Sequence, residues 1–434
     1  MIRCGFYERC VTPPIGSEIP GYWCRRPSTG ILDELYVKAF VTDDGEKQTA
    51  LIVADAVEVL TKHGEAIIRR VEEMSGIPAD RVAFSGNHSH YGVPSGDPPG
   101  TGALEDEPFM DVFCRVAADC VYMAKQRLQE CEMTFGSGWV EDIAYCRDQV
   151  LENGIITTNA GASRPVVRPY SDTDPELGVL FVKGSDGKPM GALVCYSLHQ
   201  DCIGGSQFSG DFSSELSRQL KAKYGPEFVS IYTAGAAGDI NHIDRMNGKK
   251  RHYTERGQIL AAEAIRVIEE ASAPVVGDKV DGKRMILRLR NRRATQEEKD
   301  LAYDIAVNGN KRPERPVGSG MSRLLLVYEE EMEASGQTEE DVPVQVSMVG
   351  DTFIVAMPGE PYHAFGRAIK QGCPTGKCII STLSHGMYGY MPTPDLLGTC
   401  IYPGQLCVGS RFEGEAGDKV VKAALDAMQE LLAK

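Results

Sequence analysis

No stretch of the chain approaches the roughly 18 consecutive apolar residues that a membrane-spanning helix needs. The opening, MIRCGFYERCVTPPIG, lacks the apolar core of a secretion signal, so a cytoplasmic location is the expectation. Positive charge is in deficit, with 46 Lys and Arg against 61 Asp and Glu and a net charge of −15. Such a chain repels polyanions. Its one basic run, Lys249–Lys250–Arg251–His252, is short and followed by Glu255, so it reads as a solvated loop and nucleic acid is not an expected partner. There is no GxxxxGK[ST] phosphate loop, no GxGxxG after a strand and no GxSxG nucleophile elbow. The thirteen cysteines include no CxxC pair, which argues against a disulfide framework and for small buried hydrophobes. Internal repeats and low-complexity tracts are absent as well.

What is present is an ordinary globular composition, 42% hydrophobic and 25% charged, over 434 residues. That length can bury a large core in up to about three domains, although one α/β domain can run this long. Strand and helix patterns alternate. Residues 35–41, 49–57, 81–85, 133–139, 178–182, 191–196, 229–233, 344–349 and 352–357 read as strands, the second apolar enough to be covered on both faces. Helical periodicity marks residues 63–74, 109–128, 213–224, 255–270, 361–371 and 417–432. Residues 296–341 differ, being charged and mostly helical with a Pro/Gly break at 312–320, and read as an insertion or cap. The alternation predicts an α/β fold of layered mixed sheets flanked by helices.

Only eight histidines occur, and several stand where a strand ends, the edge of α/β folds that faces ligands. His88 and His90 form an HxH pair after 81–85; in extended chain, i and i+2 point the same way and could converge on one ion. Two histidines in a polar loop is the plainer alternative. His199 follows 191–196, and three such histidines make a zinc site plausible. Asp239, in Ala237–Gly238–Asp239–Ile240–Asn241–His242, fits either a carboxylate orienting a ligand histidine or a tight turn. Glu360, between a strand and a helix, fits a metal ligand, a general base or a helix-start carboxylate. The segment Ser384–His385–Gly386–Met387–Tyr388–Gly389–Tyr390 offers tyrosines as oxyanion donors, metal ligands or packed fillers.

Together these clusters resemble the catalytic domain of the neutral, non-lysosomal ceramidases, in order along nearly the whole chain. The resemblance rests on Thr12–Pro13–Pro14 with Gly21–Tyr22, on Asn87–His88–Ser89–His90, on Ala236–Ala237–Gly238–Asp239–Ile240, on Pro358–Gly359–Glu360, and on Gly389–Tyr390 through Thr393. It implies one ceramidase-like domain over 1–434 with a charged helical insertion at about 296–341; as a departure from the family, no C-terminal immunoglobulin-like domain is expected after the final helix. It also implies a zinc ion on His88, His199, Glu360 and Tyr390, with His90, Arg147 and Tyr402 around the substrate. Arg147 matches a family arginine, and Tyr402 lies twelve residues beyond Tyr390. The family has a functional serine where this chain has Asn241, and Tyr91–Gly92–Val93 replaces the family's Ser-Gly-Pro.

The implied activity is hydrolysis of an amide by zinc-activated water, on a small-molecule substrate smaller and more polar than ceramide. A different hydrolase or lyase on the same scaffold, acting on an ester or glycoside, is the alternative. A binding protein without catalysis ranks below both. An amidohydrolase barrel also uses HxH but fits the insertion and the Glu360–Tyr390 pair poorly.

Overall fold

The computed structural model describes residues 1–98, 102–160, 165–311 and 317–433. Its first sheet holds β1 (Arg3–Cys10), β2 (Tyr36–Asp43), β3 (Gln48–Ala54), β4 (Val82–Gly86), β5 (Gln129–Trp139), β6 (Glu176–Gly184), β7 (Pro189–Tyr196), β8 (Val229–Ala234) and the short β9 (Ser272–Pro274). The order is β8-β7-β6-β5-β1-β2-β3-β4, with β9 paired to β5. A second sheet runs β10 (Val280–Arg290), β11 (Glu339–Val349), β12 (Thr352–Ala356) and β13 (Cys378–Ser381) in that order. The helices are α1 (Thr61–Ser75), α2 (Glu107–Gln126), α3 (Phe212–Tyr224), α4 (Tyr253–Arg266), α5 (Gln296–Asn308), α6 (Ser319–Ser335), α7 (His363–Gly372) and α8 (Ala416–Leu432).

The apolar run TALIVA of β3 shows why the layers form. Every residue of it is buried, so both faces of the strand need cover. Ile52 and Ala54 pack with Ile67, Val71 and Phe113 of α1 and α2. Leu51 and Val53 face the other way, into a core that joins the two sheets and runs on through Val355 and Ile379 to Val420 and Met428. Leu216, Leu220 and Leu260 of α3 and α4 cover the outer face of β6–β8. The protein is therefore layered: helices, sheet, sheet, helices.

One unit recurs three times. An antiparallel hairpin is followed by a helix and by a strand parallel to the hairpin's second strand: β2–β3–α1–β4, β6–β7–α3–β8 and β11–β12–α7–β13. The sequence carries only a faint trace of this repetition: Asp44–Gly45 and Ala50–Leu51 of the first unit recur at the same spacing as Asp186–Gly187 and Ala192–Leu193 of the second, while the third shares the burial pattern alone. The carboxyl ends of the parallel pairs lead into residues 55–60, 87–90, 197–200, 235–242, 357–360 and 382–390, the segments that build the site.

The expected strands and helices are present with shifted ends, and the architecture is the layered α/β fold that the sequence implied. Four of these strands were not legible, the three-residue β9 among them. β1 and β10 mix charged with apolar residues, and β13 has only four. The strand expected from residue 344 begins at Glu339 and runs through Pro343, which pairs with Ile286 of β10. Proline is tolerated there because β12 reaches only to Gln345, so that stretch of β11 has a neighbour on one side alone. The charged segment 296–341 comprises α5, opened by a Thr295–Glu298 capping box, and α6, which packs on it, before its last residues join β11. Residues 312–316 of its expected break lie outside the described residues. All thirteen cysteines are free and eight are buried. Among the described residues no helix is long and apolar enough to cross a membrane.

Candidate metal centre and active site

The segments after β4 and β7 are laced together. Asn87 donates its side-chain amide to Asp55 at 2.5 Å, the Gln200 side chain donates to the Asn87 carbonyl, and His90 N–H donates to the Gln200 carbonyl at 3.0 Å. His88 has φ +73°, a left-handed conformation that costs a non-glycine residue about 1–3 kcal/mol. His88 and His90 thus converge through a kink and not through the strand alternation that the HxH spacing suggested.

Three buried imidazoles result. The ring centroids of His88 and His199 are 4.2 Å apart, those of His88 and His90 4.9 Å, and ring nitrogens of all three lie within 4.8 Å of one another. His88 Nδ1 faces the Val57 carbonyl at 3.1 Å and His199 Nδ1 faces the Ile240 carbonyl at 2.9 Å. A carbonyl can only accept, so each Nδ1 carries a proton and each Nε2 points inward. Both Nε2 atoms approach one oxygen, Glu360 Oε2, at 3.1 and 3.2 Å. Burial pushes His90 well below the ordinary imidazole value and His199 down to about 3, assisted by their cationic neighbours. Both are neutral at pH 7.

Glu360 is aimed by two glycines. Gly359 has φ +60°, and a Cβ on it would lie 2.2 Å from the Gly389 carbonyl oxygen. That close approach lets Glu360 N–H donate to Gly389 at 2.8 Å and pairs Glu360 with Tyr390 in a two-residue parallel ladder. The Arg147 guanidinium lies 4.9 Å from the Tyr390 ring centroid, donates to His199 Nε2 at 3.4 Å, and donates to the Gly238 carbonyl. The Tyr402 ring meets Tyr390 edge-on at 5.2 Å. Burial pushes both phenols far up, so each keeps its proton.

The structure thus gathers His88, His90, His199, Glu360, Tyr390, Arg147 and Tyr402. Asn241 stands apart from them. Its amide donates to Asn159 at 2.7 Å and accepts from Ile243 N–H at 2.9 Å, while its neighbour Ile240 holds His199. Asp239 orients no candidate ligand histidine. It binds His363 through Nδ1 at 2.6 Å and through the backbone N–H at 2.9 Å, because backbone carbonyls already orient His88 and His199. His363, Glu58, Asp97 and Trp23 went unnoticed in the sequence. Only Glu58 left a signal there, as a lone charge in the apolar stretch AVEVL.

His363 also predicts a pH effect. Its Nε2 lies 3.2 Å from Asp172. Burial opposes its charge, but Asp239 and Asp172 outweigh burial and raise its pKa above the ordinary value. A raised folded value means stabilisation fully present below the unfolded pKa of about 6.5 and lost as pH climbs through the folded value. The melting-temperature deficit of His363→Gln is therefore expected to be larger near pH 6 than near pH 9, as followed by circular dichroism.

The donors fit a metal ion. His88 Nε2, both ring nitrogens of His90 and Glu360 Oε2 are buried without an aligned hydrogen-bond partner among the described residues. Buried nitrogen and oxygen atoms left unpaired around one point are what a cation would satisfy, one nitrogen of His90 keeping its proton. A cavity of about 40 Å³ adjoins them, walled by His88, His90, Glu360, Tyr390, Tyr402 and Glu58 among others.

No family model matches the chain, and no curated protein matches it in sequence. Solved structures do match. The neutral ceramidase from Pseudomonas aeruginosa superposes with a TM-score of 0.71 at 15% identity, over 99% of this chain and 74% of that one. The fold is ceramidase-like. A ceramidase complexed with C2 gives a TM-score of 0.73 at 15% identity, over 100% of this chain and 75% of that one. This ceramidase-like fold, shared at so low an identity, places the buried histidines at the sheet ends described above.

Proposed function

We propose that this protein is a zinc-dependent hydrolase that cleaves an amide, N-acyl bond in a substrate smaller and more polar than ceramide. One observation carries the reading: two buried imidazoles, each held through Nδ1 by a backbone carbonyl, bring their Nε2 atoms to a single carboxylate oxygen beside two protonated tyrosines. The matched ceramidases support the choice of amide, and the joined core of the two sheets supports one catalytic domain over the whole chain.

His88, His199, Glu360 and Tyr390 would hold the ion. Bound there, zinc supplies Lewis-acid activation of water near neutral pH. His90, neutral and unpartnered among the described residues, accepts the proton released during attack and returns it to the leaving nitrogen. Arg147 and Tyr402 donate to the carbonyl oxygen as negative charge builds on it. Asn241 contributes by positioning, since it fixes the turn whose Ile240 carbonyl orients His199.

Elemental mass spectrometry and a panel of amides, esters and glycosides test this. About one zinc per chain and amide cleavage that chelation abolishes and zinc restores are expected. Metal-free protein after zinc supply, or cleavage confined to esters or glycosides, refutes the proposal. Tyr402→Phe is expected to lower kcat about 10²–10³-fold with zinc content unchanged, the loss typical of one oxyanion donor.

A further inference from the structure

The hydrolase reading leaves the substrate open, and the wall of the cavity narrows it. Glu58 follows Val57, whose carbonyl orients His88, and its own carbonyl accepts from Ser95 Oγ at 2.7 Å. Its carboxyl group is less well served. Oε2 is shut off from solvent and has no hydrogen-bond partner among the described residues. It lines the same cavity as His88, His90 and Glu360. A buried acceptor left unmade costs about 1–3 kcal/mol, and such atoms persist where a ligand completes them.

Two further walls fit the same ligand. Asp97 accepts from Gly21 N–H at 2.7 Å and from Ala103 N–H at 2.8 Å, one bond to each oxygen, and lines the same cavity as Glu58. From Gly21 the chain turns into Trp23, held at φ +56°. A bulky residue rarely adopts that conformation, and its strain marks a site under functional constraint. The indole meets the Tyr402 ring edge-on at 6.4 Å and rests on Gly409, where a Cβ would come within 2.8 Å of it. An aromatic wall thus stands with two carboxyl groups around the imidazoles. A long alkyl chain would leave those carboxyls desolvated and unmatched. Hydroxyl groups would donate to them, the C–H face of a ring would pack on the indole, and about 40 Å³ has room for a small acyl group.

We propose that the site takes a small N-acylated amine bearing several hydroxyl groups, of the kind an N-acetyl amino sugar presents, and that Glu58 selects it by accepting from a hydroxyl. The inference rests on the hydrolase reading for the acyl amide, and on Glu58, Asp97 and Trp23 for the hydroxylated part.

Calorimetry on the zinc-loaded protein tests it with two probes. N-acetylglucosamine carries hydroxyls; N-acetylcyclohexylamine keeps the acetamide and a six-membered ring without them. The parent protein is expected to bind the sugar at least about tenfold more tightly. In Glu58→Met that advantage falls to about threefold or less, with affinity for the cyclohexyl amide and zinc content unchanged. Glu58→Gln, which keeps size and an acceptor, retains part of the advantage and stands in if Glu58→Met does not fold. Equal affinities in the parent, an undiminished preference in the variant, or loss of zinc from it overturns the proposal. Acetate release from both probes is read separately. A binding preference that depends on Glu58 without acetate release sinks the amide-hydrolase reading and leaves the selectivity standing.

Discussion

His88→Ala and Glu360→Ala proteins are expected to leave purification without zinc while the parent holds about one ion per chain. Each substitution removes one of the atoms that meet at the same point, since His88 and His199 both approach Glu360 Oε2 within 3.2 Å. Zinc sites with so few ligands do not tolerate the loss of one, when even changing a residue that merely orients a ligand costs about 10–100-fold in affinity. The fold should survive. Alanine at 88 keeps the strained backbone and vacates a polar cavity, and the cores of the two sheets lie elsewhere. Thermal melts separate the outcomes. Zinc at about a thousand times its dissociation constant stabilises the parent by about 4 kcal/mol and leaves either variant unmoved. Full zinc occupancy in both variants would falsify the site.

The second large effect belongs to a residue with no chemistry of its own. Gly359→Ala is expected to unfold several degrees below the parent and to bind zinc weakly. Alanine in the left-handed region costs about 1–2 kcal/mol, and its Cβ would stand 2.2 Å from the Gly389 carbonyl, a backbone atom that cannot rotate away. Relief requires the two-residue ladder to open, which separates Glu360 from Tyr390. The stability loss and the metal loss should therefore travel together. A Gly359→Ala protein with parental zinc affinity and melting temperature would show that this ladder does not set the carboxylate.

The same contrast shows how much of the site was legible. His88, His90, His199 and Glu360 stand at strand ends, and strand ends can be read from apolar runs such as TALIVA and GALVCY that stop at a polar cluster. Tyr402 and Arg147 were found through the resemblance alone, since nothing about a tyrosine in a Gly/Pro-rich stretch marks it. Asn241 stood in a motif beside the right strand, yet its side chain turns to Asn159. Spacing along one strand cannot say which way a loop residue faces after the strand has ended. Asp239 fits, in sequence, either the partner of a ligand histidine or a tight turn, and in the structure it holds a histidine that is no candidate ligand. Which one depended on His363 arriving 124 residues later at the start of α7.

By itself the sequence determined the layer class and the location of the polar clusters. Apolar periodicity is a local property, and burial enforces it wherever the strand pairs. It determined also the acidic balance of the chain, a net charge of −15 that counts against polyanionic ligands. Tertiary structure alone decided the rest: that three unlike segments repeat one hairpin–helix–strand unit, that Glu58 and Trp23 share a cavity with His90, and that two glycines bring Glu360 beside Tyr390. Those facts depend on contacts between residues tens to hundreds of positions apart, and the energy that selects them is in the packing of whole layers against each other, which no window of the chain contains.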